Sequence, residues 1–290
     1  MYFVRARVER RRMATENEKR KRKESSDVRS KKKKKQRSED EEATKQLRFF
    51  ESAMGIELSS LELESLKDNK CILEVSEAAD SDVTVLGKTI RAAFGASWKE
   101  ALCEGKPVEG KVIAGSPAVL IITSSALRCI DLLRGFRSMT EQCHAAKLFS
   151  KHMKLEEQIS LLKNRVNIAS GTPSRLVGWS SHILLLTNHI LFFKYCRISN
   201  FHFRIKKLID AEALDLSRLQ VLVLDLHPDV KGYSLLTLPQ VRDEFWDLFK
   251  NYFYQPMLQG HLRICLYGYQ VSVRLKAKHK HKQGHTIPDA

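Results

Sequence analysis

Residues 219–225 read Leu-Gln-Val-Leu-Val-Leu-Asp. Only Gln220 interrupts the apolar run, and a carboxylate closes it. A run of this length and hydrophobicity predicts a strand buried on both faces. Upstream, Ala118–Thr123 (AVLIIT) has the same character, and Ser124-Ser125 can cap a helix over Ala126–Phe136. Shorter strands are predicted at Ala145–Ser150 and Val166–Ser170, with a helix at Met153–Asn164 between them. A helix at Ile205–Leu214 leads into the 219–225 strand. A helix at Leu238–Phe253 follows it, and Leu262–Tyr267 is the last strand. Leu86, Ile90, Phe94, Trp98 and Leu102 recur every four residues, one face of an amphipathic helix. Apolar strands alternating with helices imply an α/β fold, a three-layer, doubly wound and mostly parallel sheet. In such sheets a ligand crevice lies at the carboxyl ends of the strands. Function is therefore sought at Thr123–Ser125, Gly171–Arg175 and Asp225–Asp229.

The chain has 290 residues and a formal charge of +16. Residues 1–40 carry 17 Lys+Arg against 7 Asp+Glu, and residues 272–290 carry 5 against 1. The body between them is close to neutral. The first tail contains Lys19, Arg20, Lys21, Arg22 and Lys23, then Lys31, Lys32, Lys33, Lys34 and Lys35. Charge this dense repels itself and leaves nothing to bury, so both tails are expected to be disordered. Two clusters about ten residues apart also fit a bipartite nuclear-import signal and contacts to nucleic-acid phosphates. No apolar stretch approaches the ~20 residues of a membrane span, and no membrane partner is expected. The six cysteines (71, 103, 129, 143, 196, 265) form no CxxC pair, which favours reduced thiols. His279, His281 and His285 lack neighbouring cysteines or carboxylates, so no metal site is expected.

Gly87-Lys88-Thr89 tempts one to read a phosphate-binding loop. The position of that loop's first glycine holds Asp82, and the triplet falls within the Leu86–Leu102 helical face. Gly171-Thr172-Pro173-Ser174-Arg175 follows a strand and offers a backbone N–H, a hydroxyl and a guanidinium to a phosphate, though a plain turn has the same composition. Asp225 stands where phosphotransfer needs a magnesium-holding carboxylate. Leu226 then takes the place of a second acid. No catalytic residue and no cofactor are therefore expected.

In this order and spacing the pieces resemble the first RecA-like domain of DEAD-box RNA helicases. Val119–Arg128 (VLIITSSALR) falls at that family's Pro-Thr-Arg-Glu-Leu-Ala motif, GTPSR at its Gly-Thr-Pro-Gly-Arg, and VLVLDLHPD at its Asp-Glu-Ala-Asp. A basic tail on one degenerate helicase-like domain is similar to the Cms-one family, a match carried by Ala146–Lys163, GTPSR and Leu238–Phe249. The resemblance spans about residues 85–268. It implies a nucleolar, non-catalytic role in small-subunit ribosome biogenesis. The implied partners are pre-rRNA or a small nucleolar RNA and the proteins of the early particle containing the U-three RNA. It also implies RNA-backbone contacts at Thr172 and Arg175, with Ser124 and Ser125 flanking the path. An active ATP-dependent helicase and a chromatin- or DNA-associated nuclear factor are the rival readings.

The expected organisation is a disordered tail to residue 42, a helical lead-in over 43–84, the helicase-like domain over 85–270 and a basic tail over 271–290. Met13 makes a plausible start of its own, so residues 1–12 read as an extension. Leu176–Arg204 is apolar and aromatic without matching polar faces. Removing it rejoins GTPSR to IKKLIDAEAL, and the stretch reads as an insertion or a retained intron.

Overall fold

The computed structural model describes residues 41–55, 58–73, 75, 82–105, 113–149, 153–172 and 204–269. The expectations for residues 1–40, for 270–290, for Arg175 and for 176–203 lie outside the described residues. The described residues fall into two units that divide after Arg48. In the first, residues 41–48 are helical, and Lys45 Nζ sits 3.5 Å from Glu42 Oε2 one turn earlier.

The second unit opens with helical residues 49–54 (α1), stopped at Gly55, whose φ of 65° suits glycine. Helix α2 (Ser60–Asp68) starts afresh from a capping box, in which Ser59 and Glu62 satisfy each other's backbone N–H. Gly55 thus separates two helical runs within the span read as a helical lead-in. After α2 the chain does something its sequence did not announce. Ile72 bridges Ile264 in parallel, with Leu73 N–H donating to Ile264 O and Ile264 N–H to Cys71 O, both at 2.7 Å.

Helix α3 (Val83–Ala93) carries Leu86 and Ile90 fully buried. The predicted helix to Leu102 breaks at Gly95, where φ is 56°. A 3₁₀ turn, Gly95–Ser97, and a π turn, Lys99–Cys103, take over. Phe94 and Leu102 still reach the core, because the break redirects the chain without turning that face outward. The remaining elements are β1 (Val119–Ile122), α4 (Ala126–Arg134), β2 (Ala146–Leu148), α5 (Leu155–Leu162), β3 (Ile168–Gly171), α6 (Arg204–Asp210), β4 (Val221–Asp225), α7 (Pro239–Leu248), α8 (Tyr254–Leu258) and β5 (Arg263–Tyr267). A π turn, Phe249–Phe253, joins α7 to α8.

The five strands form one sheet in the order β2-β3-β1-β4-β5, every pair parallel. Val119, Ile121, Val221, Val223 and Cys265 pack against Leu86, Ile90, Leu132 and Phe136 of α3 and the α4 region. Leu120, Leu222, Leu224 and Ile264 point the other way along the same strands and are equally buried. Both faces are covered, which is why these strands read as continuous apolar runs. The expected α/β three-layer architecture is the observed one.

Two glycines let the layers close. A Cβ on Gly87 would lie 2.2 Å from Gly135 O, so α3 and the end of α4 meet backbone to backbone there. The glycine of the Gly-Lys-Thr triplet is thus a packing residue in the second turn of α3. At the other end of the sheet, a Cβ on Gly171 would come within 3.0 Å of Ile205 Cδ1. The chain therefore re-enters, at the start of α6, against the point where β3 ends. Edge strand β2 is blunted by Gln158 of α5. Its buried Nε2 donates to Lys147 O (3.1 Å) and Phe149 O (3.0 Å), filling acceptors that an added strand would use.

Helix α7 holds a carboxyl under stress. Glu244 Oε2 is buried without a hydrogen-bond partner among the described residues, and burial pushes the group up to about 7. The folded state therefore holds a proton between pH 4.5 and about 7 that the unfolded chain releases. Stability from this group is full below pH 4.5 and declines as pH rises to about 7. After allowance for solvent screening, the loss is on the order of 1–3 kcal/mol. Glu244→Gln is expected to flatten that decline and to be the more stable protein at pH 8, as measured by urea unfolding from pH 4.5 to 8.

Candidate site at the carboxyl ends of the strands

From β1 the chain goes to β2 and β3 on one side; from β4 it goes to β5 on the other. The order reverses between the neighbours β1 and β4, and the crevice of a parallel sheet opens at such a point. Two segments face it: Thr123–Arg128 after β1, and Asp225–His227 at the end of β4.

Asp225 is the last residue of β4 and is completely buried. A buried carboxylate must be paired, and this one is. Arg128, in the first turn of α4, reaches across the crevice: its Nε donates to Oδ2 at 2.8 Å and its Nη2 to Oδ1 at 3.3 Å. His227 Nδ1 lies 2.9 Å from Oδ1, with its backbone N–H at 3.4 Å from the same atom. Tyr267, the last residue of β5, forms the floor. The Arg128 guanidinium sits 5.6 Å from its ring centroid and the His227 ring 4.7 Å from it. Burial disfavours the Arg128 charge, but the Asp225 bonds more than offset this, so its proton is held more tightly than usual. Gly268 completes the arrangement, since a Cβ there would fall 2.3 Å from His227 Nδ1. The crevice thus contains its own cation, clamped on its own carboxylate.

The predicted residues gather around this cluster to different extents. Ser125 is the N-cap of α4 and accepts from Arg128 N–H at 3.3 Å; it is exposed. Ser124 is half-buried beside it, and Thr172 is buried just past β3. Between them Thr123 N–H donates to Gly171 O at 3.1 Å, tying the two loops together. Sequence reasoning singled out Asp225 but missed Arg128 and Tyr267. The only hint was position: each sits at a strand's carboxyl end or one turn beyond it.

Three of the described thiols are poor nucleophiles. Burial pushes Cys71 up to about 12 and raises Cys129 and Cys103 as well. Cys71, Cys103, Cys129 and Cys143 form no disulfide. Among the described residues no cluster of three metal-ligating side chains occurs, and no helix is long and apolar enough to cross a membrane.

The sequence profile of the CMS1 family, described as a U3-containing 90S pre-ribosomal complex subunit, matches residues 7–184, more than half of the chain. The chain belongs to the CMS1 family. Its relatives include Protein CMS1 of Chaetomium thermophilum, 38% identical over 130 residues that cover 44% of this chain and 50% of that one. Protein CMSS1 of Xenopus laevis is 25% identical over 215 residues, 73% of this chain and 67% of that one. Protein CMSS1 of Homo sapiens is 30% identical over 135 residues, 46% and 38% of the two chains. The matched region thus spans between about a third and two thirds of these CMS1-family relatives.

Proposed function

We propose that this chain is a non-catalytic component of the 90S pre-ribosome in the nucleolus, acting in assembly of the small ribosomal subunit. Its basic tails, with Lys19–Lys23 and Lys31–Lys35, hold pre-rRNA or a small nucleolar RNA by phosphate contact and direct the chain to the nucleus. Thr172 and Arg175 add contacts to the RNA backbone, with Ser124 and Ser125 flanking the same path. Family membership supports the particle and the compartment. The charge distribution supports the RNA.

One observation carries the non-catalytic reading. A carboxylate that activates phosphotransfer must face a magnesium ion, and Asp225 faces Arg128 and His227 instead. A divalent cation would have to displace a guanidinium bound through two hydrogen bonds. The rival reading, an RNA-dependent ATPase, rests on the switch-point crevice itself. The test is ATP turnover and magnesium–nucleotide binding by the full chain with RNA present, alongside sedimentation of the tagged chain from cells. The expected result is no turnover and co-migration with 90S-sized particles carrying pre-rRNA. Turnover abolished by Asp225→Asn would establish the enzyme instead, and recovery of DNA rather than rRNA after crosslinking would establish the chromatin factor.

A further inference from the structure

Beyond the crevice, β4 continues into a loop whose two ends are fixed. Leu226 is buried and its N–H donates to Tyr267 O at 2.7 Å. Ser234, Leu235 and Leu236 are buried at the far end, where Ser234 N–H donates to Thr237 Oγ1 at 2.7 Å. Between these anchors five consecutive residues, Asp229–Tyr233, are exposed. They are nevertheless ordered by their own bonds. The Asp229 carboxylate accepts from Lys231 N–H at 2.9 Å and Tyr233 N–H at 2.8 Å. Asp229 N–H donates to Tyr233 O at 2.7 Å, and Gly232 N–H to Asp229 O at 2.9 Å, with Gly232 at a φ of 82°.

The tip so formed presents Val230, fully exposed, and Tyr233, 42% exposed, on a preset backbone. We infer that Asp229–Tyr233 is a docking knob for a protein of the assembly, one whose pocket is apolar enough to take Val230 and the Tyr233 ring. The charge of the tip favours protein over RNA. Asp229 and Lys231 cancel, so a polyphosphate backbone gains no net attraction; the Tyr233 ring can stack on a base as well as enter a protein pocket, but Val230, the more exposed of the two, offers a nucleic acid nothing. An apolar pocket gains from both side chains, and Tyr is among the residues that dominate protein interfaces. Because the loop is already ordered, binding does not have to freeze it. The inference rests on the pre-ribosomal reading for the partner's whereabouts, not for the chemistry of the tip.

The test places a photo-crosslinking amino acid at position 230 of the full chain in cells, with position 61 as an exposed control. A protein adduct that survives nuclease and is specific to position 230 identifies the partner, which is then purified for binding measurements. Val230→Asp and Tyr233→Ala are each expected to weaken that binding by about tenfold or more while leaving thermal unfolding unchanged. Asp229→Ala leaves both contact side chains in place but frees the loop, and a weakening of about threefold or more is expected. RNA adducts at position 230, no adduct, or unchanged binding by the Val230 and Tyr233 variants would overturn the knob. Failure of the unaltered chain to enter 90S particles would overturn the pre-ribosomal reading instead, whatever position 230 contacts.

Discussion

Asp225→Ala is expected to destabilise the domain by about 3–5 kcal/mol, because it leaves the Arg128 guanidinium partly buried with no counter-charge. Arg128 is held at its Nε and Nη2 by this one carboxylate, and Asp225 is itself entirely buried. His227 loses its nearest acceptor at the same time. For a body of about two hundred residues this is a drop in Tm of roughly 6–20 °C. The conservative Asp225→Asn keeps a carbonyl acceptor and is expected to cost less. The informative variant is the double replacement Arg128→Met with Asp225→Leu. It removes both charges and supplies apolar volume, so it is expected to recover most of the lost stability. Urea titrations of the four proteins decide the matter. A double variant no better than Asp225→Ala would mean that shape, not charge, matters at this position.

The second large effect concerns salt. If the tails neutralise about 6–10 phosphates, RNA affinity of the full chain should fall by roughly 10³–10⁵ between 50 and 200 mM salt. Removing residues 1–40 takes away 17 of the 50 basic residues in a single piece. The truncated chain is expected to bind weakly at 50 mM and to show a much shallower dependence of log affinity on log salt. It should also fail to accumulate in the nucleus. Fluorescence anisotropy against a single-stranded RNA of arbitrary sequence measures the first. Microscopy of tagged chains measures the second. Equal slopes for full and truncated chains would move RNA binding to the body and its crevice.

The parallel sheet was readable in advance because each strand is buried on both faces and so lacks polar positions; VLVLD is the clearest instance. The bridge at Ile72 was not, since one pairing residue leaves no periodicity to detect. The helix breaks at Gly55 and Gly95 were overlooked for a related reason: a glycine can be tolerated inside a helical pattern or end it, and only backbone geometry decides. The site divides in the same way. Asp225 was conspicuous as a charge ending an apolar run. Its partner Arg128 lies 97 residues earlier, on a helix whose own pattern makes an arginine there look like ordinary surface. Only the adjacency of β1 and β4 brings the two together, and that adjacency is a property of topology.

The contact between Gly171 and Ile205 has a consequence for the gene. If codons 176–204 were skipped in the transcript, three residues, 173–175, would link Thr172 to Ile205. Such a linker spans up to about 14 Å, ample when the side chain of Ile205 already lies against the residue before Thr172. The shorter splice form loses Arg204, the first residue of α6, for which Arg175 would substitute, and is expected to close without disturbing β3 or the rest of α6 and to unfold in one cooperative transition. Peptides from 176–204 in digests of the natural protein would show instead that cells translate the longer form.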